Sequence, residues 1–286
     1  MDEPSGFLTD IDTAAISHVV DANYGTFLDV KEVYASASGH TRLLSATRYG
    51  RRYMLKCLKT DFLLAPLYQQ LLRKEFEIGI QLDHPNICRT IGWETLPSFG
   101  NVIVMEHVDG ITFEEFLHTR DKRDVYSLLA QLVDALGYMH SKQIVHRDLK
   151  PSNIMVTHNG NNLKIIDFSF SDSDAFSILK SPAGTRQYAA PEQFVADVHT
   201  DVRSDIYSFG VIVAEIAGLT HDNRLHAVAR RCMQHDINQR PMHITDIIIP
   251  GAPTYNETPY TIAAIILSIT AMLLLACIIY LLVYDW

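Results

Sequence analysis

The sequence contains little of what several classes of protein require. Its 286 residues include only four cysteines, none of them in a C-x-x-C pair, so we expect neither a disulfide framework nor a zinc site, and a reducing compartment fits best. The formal net charge is −9 and the chain has no basic tail, which argues against nucleic acid as a partner. The acidic N-terminus, MDEPSGFLTD, contains no long apolar run, so we expect no secretory signal there.

Charge is also missing from one long stretch near the C-terminus. Residues 258–284 contain no charged side chain, and a span of about 20 apolar residues crosses the hydrocarbon core of a bilayer. Thr258 can cap such a helix and Pro259 suits its first turn, while aromatic residues lie near both ends of the stretch, as they do at membrane interfaces. We therefore expect one transmembrane helix over 258–284 that anchors the chain in a lipid bilayer; a buried core helix is the alternative.

The rest of the chain divides into a strand-rich part and a helix-rich part. Residues 1–23 are expected to be a weakly structured or short helical leader. Strands are predicted in FLDVKEVY, TRLLSATRY, RRYMLKCL and NVIVMEHV, with a turn at Tyr49-Gly50. Helices are predicted in PLYQQLLRKEFEIGIQL and DVYSLLAQLVDALGYMHSK. Residues 248–257, punctuated by proline and glycine, are predicted to link the last of these parts to the apolar stretch.

The stretch IVHRDLKPSNIMV, residues 144–156, concentrates polar side chains between two aliphatic runs. Asp148 offers a carboxylate that can accept a proton from a hydroxyl, and Lys150 offers a cation that can neutralise a transferring phosphoryl group. Asn153 offers a neutral oxygen ligand for Mg²⁺, and Asp167, in LKIIDFSF, can complete the metal site. A base, a cation and metal ligands are the parts that phosphoryl transfer needs.

Together with other motifs, this stretch resembles the eukaryotic-type serine/threonine protein kinases over residues 24–247. The motifs are, in chain order, YMLK at 53–56, RKEFEI at 73–78, LDHPNI at 82–87, HRDLKPSN at 146–153, IDFS at 166–169, GTRQYAAPE at 184–192 and SDIYSFG at 204–210. The resemblance implies an α+β, two-lobed protein-kinase-like fold, to which the transmembrane helix is added. Its β-rich N-lobe would span about 24–108 and its helical C-lobe about 109–247, with ATP bound between them.

The same resemblance implies roles for the polar residues of the central stretch. Asp148 would be the catalytic base, and Lys150 would contact the γ-phosphate. Asn153 and Asp167 would hold Mg²⁺. Lys150 also resembles the lysine of kinases that phosphorylate serine and threonine rather than tyrosine, as does the pair Gly184-Thr185.

The resemblance further implies which residues bind ATP. Lys56 would hold the α and β phosphates, and Glu75 would be its ion-pair partner on the following helix. Gly39 lies in the loop that would cover the phosphates. Glu106 and Val108 lie in the hinge that would contact the adenine ring.

Four features depart from the family pattern. The loop SASGHTRL, residues 36–43, carries a single glycine, and other small side chains let backbone N–H groups approach phosphate less freely. Met54 stands where the family has alanine against the adenine ring, and Ser169 replaces the glycine of D-F-G. Only 35 residues separate Asp205 from Arg240, so we expect the helix that often docks protein substrates to be missing.

Two further features bear on regulation and on the integrity of the C-lobe. Arg147 resembles the arginine that grips a phosphorylated activation loop, for which the candidate phosphorylation sites are Ser171, Ser173, Ser177 and Ser181. Glu192, at the end of GTRQYAAPE, is expected to pair with Arg240.

These inferences combine into one prediction with two alternatives. The prediction is an ATP- and Mg²⁺-dependent kinase that phosphorylates serine or threonine in proteins. Its kinase domain would lie on the cytoplasmic face of a membrane, a bacterial inner membrane being favoured, because it needs ATP. The first alternative is a pseudokinase that binds nucleotide weakly and acts as a membrane-bound scaffold or regulator. The second is a kinase-like small-molecule phosphotransferase.

Overall fold

The computed structural model describes residues 26–35, 39–119, 124–169, 171, 187–194, 201–252, 266–272 and 274. The chain forms two compact units, residues 1–250 and residues 251–286. The expected leader, residues 1–23, lies outside the described residues.

A five-stranded antiparallel sheet makes up the first part of the larger unit. Its strands are β1 (Leu28–Ala35), β2 (Thr41–Arg48), β3 (Arg51–Leu58), β4 (Thr90–Leu96) and β5 (Gly100–Glu106), in the spatial order β1-β2-β3-β5-β4. Tyr49 and Gly50 both adopt positive φ, 53° and 70°, which is the backbone of a tight two-residue hairpin turn. The predicted strands and the turn at Tyr49-Gly50 are therefore confirmed.

Apolar clusters lie on both faces of this sheet. One cluster comprises Leu44, Ala46, Leu55, Cys57, Val102 and Val104. The other joins Leu58 and Ile103 to Leu72 of helix α1 (Pro66–Gly79). Because successive side chains of a strand point to opposite faces, Lys56 lies on the same face of β3 as Leu58, which is the face that α1 covers.

Helix α1 presents a carboxylate to that face. It begins at Pro66, whose missing N–H would have no partner in a first turn, and it ends at Gly79, three residues before the predicted end at Leu82. Its buried residues include Leu72 and Glu75, which lie three apart and so share one side of the helix. The burial of this side brings Glu75 under the sheet, towards Lys56.

The second part of the larger unit is mainly helical. It contains α2 (Phe113–Leu117), α3 (Val125–Ser141), α4 (Val202–Thr220) and α5 (Asn223–Cys232), together with a small antiparallel sheet of β6 (Gly110–Thr112), β7 (Ile154–Thr157) and β8 (Leu163–Ile165). The amphipathic pattern predicted for α3 is confirmed, because Leu128, Leu132 and Leu136 are all buried. A sheet-rich N-lobe followed by a helical C-lobe is the predicted kinase-like α+β arrangement.

The C-lobe is shorter than the family pattern between α4 and α5. Only His221 and Asp222 separate the two helices. His221 has a left-handed backbone with φ of 54°, and the Asp222 carboxylate caps α5 by accepting from the N–H of Arg224 at 2.8 Å. Because residues 201–252 are all described, the two-residue turn can be followed directly from α4 into α5. This direct connection agrees with the short spacing between Asp205 and Arg240.

In the smaller unit, residues 251–286, the structure describes residues 251–252, 266–272 and 274, of which 266–272 and 274 are helical. Among the described residues, no helix combines the length and apolarity needed to cross a membrane. Most of the expected transmembrane span, 258–284, lies outside the described residues, so the span stays a prediction.

Candidate active site

Lys56 is the centre of a buried polar cluster beneath the sheet. Its Nζ lies 2.6 Å from Glu75 Oε1 and 2.6 Å from Asp167 Oδ1, and it donates to Ser169 Oγ at 2.7 Å. The side chains of Lys56 and Glu75 are only 6% and 5% exposed. Strand β3, helix α1 and the segment after β8 therefore meet at one ammonium group, and the expected pairing of Lys56 with Glu75 is present.

The charges in this cluster alter one another's ionisation. Burial by itself would lower the pKa of Lys56, but the carboxylates of Asp167 and Glu75 outweigh burial and raise that pKa above its ordinary value. Burial would raise the pKa of Asp167, whereas the Lys56 ammonium and the hydrogen bonds from Lys56 and Ser169 hold it well below its usual range. Burial raises the pKa of Glu75, and Lys56 offsets only part of that rise.

A second cluster forms in the loop between α3 and β7. Lys150 Nζ lies 2.8 Å from Asp148 Oδ2. The amide nitrogen of Asn153 donates to the Asp148 carbonyl at 2.9 Å and to Asp148 Oδ2 at 3.1 Å. Asp148 is buried, with 6% of the residue exposed. The three residues that the sequence placed within one short motif are thus held together by direct contacts.

The side chain of Asp205, on α4, holds the backbone of this loop in place. The fully buried Asp205 carboxylate accepts from the N–H groups of His146 and Arg147 at 2.8 and 2.9 Å and lies 2.9 Å from His140 Nε2. Burial opposes the ionisation of Asp205, but these partners outweigh it and lower the pKa of its carboxyl. Arg147 needs such support, because its φ of 69° is in the left-handed region that non-glycine residues avoid.

Gln193 is a buried residue of this site that sequence reasoning missed. Its amide nitrogen donates to the carbonyl of Arg147 at 2.7 Å, and its amide oxygen accepts from the N–H of Ala190 at 2.9 Å. It is only 4% exposed. The sequence offers a weak signal, a polar residue directly after the motif that ends at Glu192. Nothing in it reveals that Gln193 connects that motif to Arg147, in the HRDLKPSN stretch.

The expected hinge residues lie at the end of β5 and just after it. Glu106 Oε1 accepts from the N–H of Arg89 at 2.9 Å, and the same carboxylate pairs with Lys164. Since the Glu106 side chain is engaged within the protein, a contact from Glu106 to a nucleotide would come from its backbone carbonyl. Val108 lies two residues further on, in the segment between β5 and β6.

Met54 lies directly opposite Met105 in the sheet. The two are paired residues of β3 and β5, and Ser45 of β2 faces Met54 from the other side. Paired residues on adjacent strands share a face, and Met54 shares a face with Lys56 because they are two residues apart. The departure at Met54 therefore lies beside Met105, on the face of the sheet that carries Lys56.

The expected phosphate loop is described only in part. Residues 36–38 lie outside the described residues, whereas Gly39 is described. The adjacent His40 packs against two rings, with its centroid 4.7 Å from that of Tyr68 and 6.3 Å from that of Phe62. Tyr68 belongs to α1, so the end of the loop contacts the helix that carries Glu75.

The candidate phosphorylation sites are also described only in part. Ser173, Ser177 and Ser181 lie outside the described residues, as does the pair Gly184-Thr185. Ser171 is fully buried and its hydroxyl donates to the carbonyl of His146 at 3.4 Å. Ser171 is therefore a wrong candidate in this conformation, because a kinase cannot reach a hydroxyl that solvent cannot reach.

Comparison with known families and proteins agrees with this geometry. The family model described as protein kinase domain matches residues 35–272, which is well over half of the chain. Among curated proteins, the chain is similar to a probable serine/threonine-protein kinase of Streptomyces coelicolor, with 36% identity over 183 residues, covering 59% of this chain and 27% of that protein.

Two further bacterial relatives show similar coverage. Serine/threonine-protein kinase PknB of Mycobacterium leprae is 35% identical over 179 residues, covering 59% of this chain and 28% of PknB. Serine/threonine-protein kinase PrkC of Bacillus subtilis is 32% identical over 174 residues, covering 58% of this chain and 26% of PrkC. The chain therefore matches about a quarter of the length of these relatives.

Proposed function

The chain belongs to the protein kinase family, and we propose that it transfers the γ-phosphate of Mg-ATP to serine or threonine hydroxyls of proteins. The observation that carries this proposal is the presence of two adjacent polar clusters in one unit. One joins Lys56, Glu75 and Asp167, and the other joins Asp148, Lys150 and Asn153. The first suits the binding of phosphate and a cation, and the second suits proton abstraction.

Asp148 is proposed to be the general base. A substrate hydroxyl placed against its carboxylate would give up its proton there as the oxygen attacks phosphorus. The hydrogen bonds from Asn153 fix the orientation of that carboxylate. Lys150, which already lies against Asp148, has the charge to stabilise the phosphoryl oxygens during transfer.

The residues also suit a magnesium ion, which prefers oxygen ligands. The amide nitrogen of Asn153 is used in donating to Asp148, which leaves the amide oxygen as its metal-binding atom. Asp167 contributes a carboxylate whose pKa is held low, so that it is ionised at neutral pH. When bound, Mg²⁺ neutralises charge on the phosphates.

Lys56 and Glu75 are proposed to orient the nucleotide. Lys56 Nζ would donate to phosphate oxygens while Glu75 keeps the ammonium in place. The segment from Glu106 to Val108 would contact the adenine ring through its backbone. The names of the bacterial relatives, which describe serine/threonine-protein kinases, support serine and threonine as the phosphorylated residues.

We also propose that residues 258–284 tether the enzyme to a membrane. The support is the uncharged length of this stretch and the helical backbone of residues 266–272. A folded kinase domain on the cytoplasmic side, where ATP is present, fits the proposal. A bacterial inner membrane is the favoured location.

One observation favours the alternative of a small-molecule phosphotransferase. The direct passage from α4 to α5 removes the helix that often docks protein substrates in this family. The chemistry at Asp148 would be unchanged, but the acceptor would be a small alcohol. The choice between the two acceptors is part of the experiment.

The experiment compares the chain with its Asp148→Asn variant. Both are incubated with Mg-ATP labelled at the γ-phosphate, and phosphate transfer to the chain itself, to a generic protein and to a panel of small alcohols is measured. Because the amide cannot accept the proton, the variant should lose roughly 10²- to 10⁴-fold in rate. Asp134→Asn, the same change at a largely exposed carboxylate of α3, is the matched control and should keep full activity. Undiminished transfer by Asp148→Asn would refute the assignment of the base, and no transfer by the unmodified chain to any acceptor would favour the pseudokinase.

A further inference from the structure

Ser169 occupies the position where the family has glycine, and its hydroxyl lies among three charged groups. The oxygen accepts from Lys56 Nζ at 2.7 Å and lies 2.6 Å from Asp167 Oδ1 and 3.2 Å from Glu75 Oε2. A hydroxyl has a single proton to donate. Because Ser169 Oγ lies closer to Asp167 than to Glu75, we assign that proton to the hydrogen bond with Asp167. A glycine could make none of these side-chain contacts.

Each N–H of the Lys56 ammonium has a partner within this cluster. An ammonium group has three donors, and Lys56 Nζ has three acceptors within 2.7 Å, contributed by Glu75, Asp167 and Ser169. The phosphate of a nucleotide can therefore bind Lys56 only by replacing one of these three acceptors. The Glu75 side chain is only 5% exposed, whereas that of Asp167 is 36% exposed, so the exchange falls on the Asp167 and Ser169 side.

Asp167 is held by the same contacts. Its Oδ1 atom accepts from Lys56 Nζ at 2.6 Å, from the Ser169 hydroxyl at 2.6 Å and from the Ser169 N–H at 3.0 Å. A cation approaching this oxygen would have to displace a donor. Ser169 thus contacts both the group that would bind phosphate and the group that would bind the cation.

We propose that Ser169 is a latch: its hydroxyl holds Lys56 against Asp167 in the nucleotide-free site, and a nucleoside phosphate with its divalent cation must break this arrangement to bind. Ser169 is a positioning residue in this scheme, since it acts through Lys56 and Asp167. Its consequence is a weaker affinity for nucleotide than the same site would have with glycine. The proposal rests on the proposed function, because it assumes that this cluster is the nucleotide site.

The test measures binding rather than turnover. Affinity for Mg-ADP is determined by titration calorimetry on the full chain in detergent, for the unmodified protein and for Ser169→Ala, Ser169→Gly and Ser169→Thr. Ser169→Ala removes the hydroxyl and keeps the Cβ atom, Ser169→Gly also frees the backbone, and Ser169→Thr keeps a hydroxyl. Ser141→Ala, which removes an exposed hydroxyl that donates to the Tyr138 carbonyl at the end of α3, is the matched control.

The latch predicts the same tightening in Ser169→Ala and Ser169→Gly, by about 3- to 10-fold, the scale of one net hydrogen bond. Ser169→Thr and Ser141→Ala should bind like the unmodified protein. Thermal unfolding without nucleotide supplies a second readout. Ser169→Ala should unfold at a lower temperature than the unmodified protein, while Mg-ADP should raise its unfolding temperature by a larger increment.

The contrary outcomes separate the latch from the proposed function. Unchanged or weaker Mg-ADP binding by a cooperatively unfolding Ser169→Ala variant would overturn the latch and leave the nucleotide site intact. If Mg-ADP bound more tightly to Ser169→Gly but not to Ser169→Ala, the effect would come from backbone freedom, and the latch would also be overturned. Failure of the unmodified protein and of every variant to bind Mg-ADP would contradict the proposed function itself, and the latch with it.

Discussion

Glu192 and Arg240 form a two-pronged ion pair although they lie 48 positions apart in the chain. Arg240 Nη1 lies 2.7 Å from Glu192 Oε1, and Nη2 lies 2.9 Å from Oε2. The Arg240 side chain is fully buried, and the Glu192 side chain is 11% exposed. The guanidinium also donates to the carbonyls of Arg203 and Gln234. The expected pairing is therefore present, and it ties the end of the motif at 184–192 to the last part of the C-lobe.

Removing the arginine should destabilise the domain strongly. Arg240→Gln leaves Glu192 without its charged partner in a poorly solvated place, and breaking such a pair costs about 3–5 kcal/mol. The free energy of unfolding, from urea denaturation, measures the loss. Arg224→Gln is the matched control, because Arg224 pairs with Asp222 at 2.8 Å but its side chain is 64% exposed. Equal losses in the two variants would contradict the importance of burial.

The same pair should make stability depend on acidity. Burial opposes the ionisation of Glu192, but the hydrogen bonds from Arg240 and Ser204 outweigh it and lower the pKa of Glu192. A carboxyl whose pKa is lowered by folding stabilises the protein above its unfolded pKa, about 4.3 for glutamate, and loses that contribution as pH falls through the folded pKa. Unfolding free energies of the unmodified protein and Glu192→Gln should therefore differ most near pH 7 and converge below about pH 4. If the difference in unfolding free energy between the two proteins stayed constant from pH 7 to pH 3, this linkage would be contradicted.

Met54→Ala should leave the affinity for nucleotide unchanged or increase it. The substitution restores the small residue that the family has at this position, and it removes a long side chain opposite Met105. Calorimetry with Mg-ADP measures the effect. Met242→Ala, at a methionine that is 66% exposed, controls for a general effect of losing a methionine. A large loss of affinity in Met54→Ala alone would show that Met54 contacts the nucleotide productively.

Gln193→Ala should lower kcat and leave KM for ATP nearly unchanged. The truncation leaves the carbonyl of Arg147 and the N–H of Ala190 without their partner, and an unsatisfied buried group costs about 1–3 kcal/mol. Part of that cost should appear as a displacement of the proposed catalytic loop, residues 146–153, which would lower kcat roughly 10-fold. Gln81→Ala, at an exposed glutamine that donates to the Glu77 carbonyl, is the control. An unchanged kcat, or a rise in KM for ATP instead, would show that Gln193 does not position the catalytic loop.

Residues 258–286 should be sufficient to hold a soluble reporter in a membrane. Aliphatic residues near the middle of such a helix each favour insertion by about 0.3–0.6 kcal/mol. The fusion should resist carbonate extraction, and in the full chain the kinase domain should be digested only when the cytoplasmic face of the vesicles is accessible to protease. A fusion in which Leu267 and Leu274 are both changed to lysine should be released, since each charge opposes insertion by about 2.5–3.5 kcal/mol. Full release of the unmodified fusion, or digestion of the kinase domain only from the opposite face, would refute the membrane tether.

Local patterns in the sequence were sufficient to predict β1, β2, β3, β5, α1 and α3, but the other strands and helices were not predicted. The alternation in β2 and β3, the turn at Tyr49-Gly50 and the apolar repeat of α3 depend on neighbours a few residues apart, which the sequence displays directly. The end of α1 was less predictable. The apolar pattern continues through Ile80 and Leu82, and the helix nonetheless ends at Gly79, after which the N–H groups of Gln81 and Leu82 donate to carbonyls only three residues back.

The proximity of Asp148, Lys150 and Asn153 was visible in the sequence because all three lie in one short motif, and family resemblance indicated that Lys56 should meet Glu75. By itself, the sequence indicated a strand-rich part followed by a helix-rich part and a short spacing between Asp205 and Arg240, since these depend on local patterning and on chain length, and the resemblance to kinases added the α+β two-lobed fold class. The tertiary structure decided how Ser169 joins Lys56 to Asp167, how Gln193 supports Arg147, and that Ser171 is buried. Apart from the contact between Ser169 and Asp167, these contacts join residues from 25 to 113 positions apart, and a hydrogen bond depends on distances and angles that only the packed fold sets.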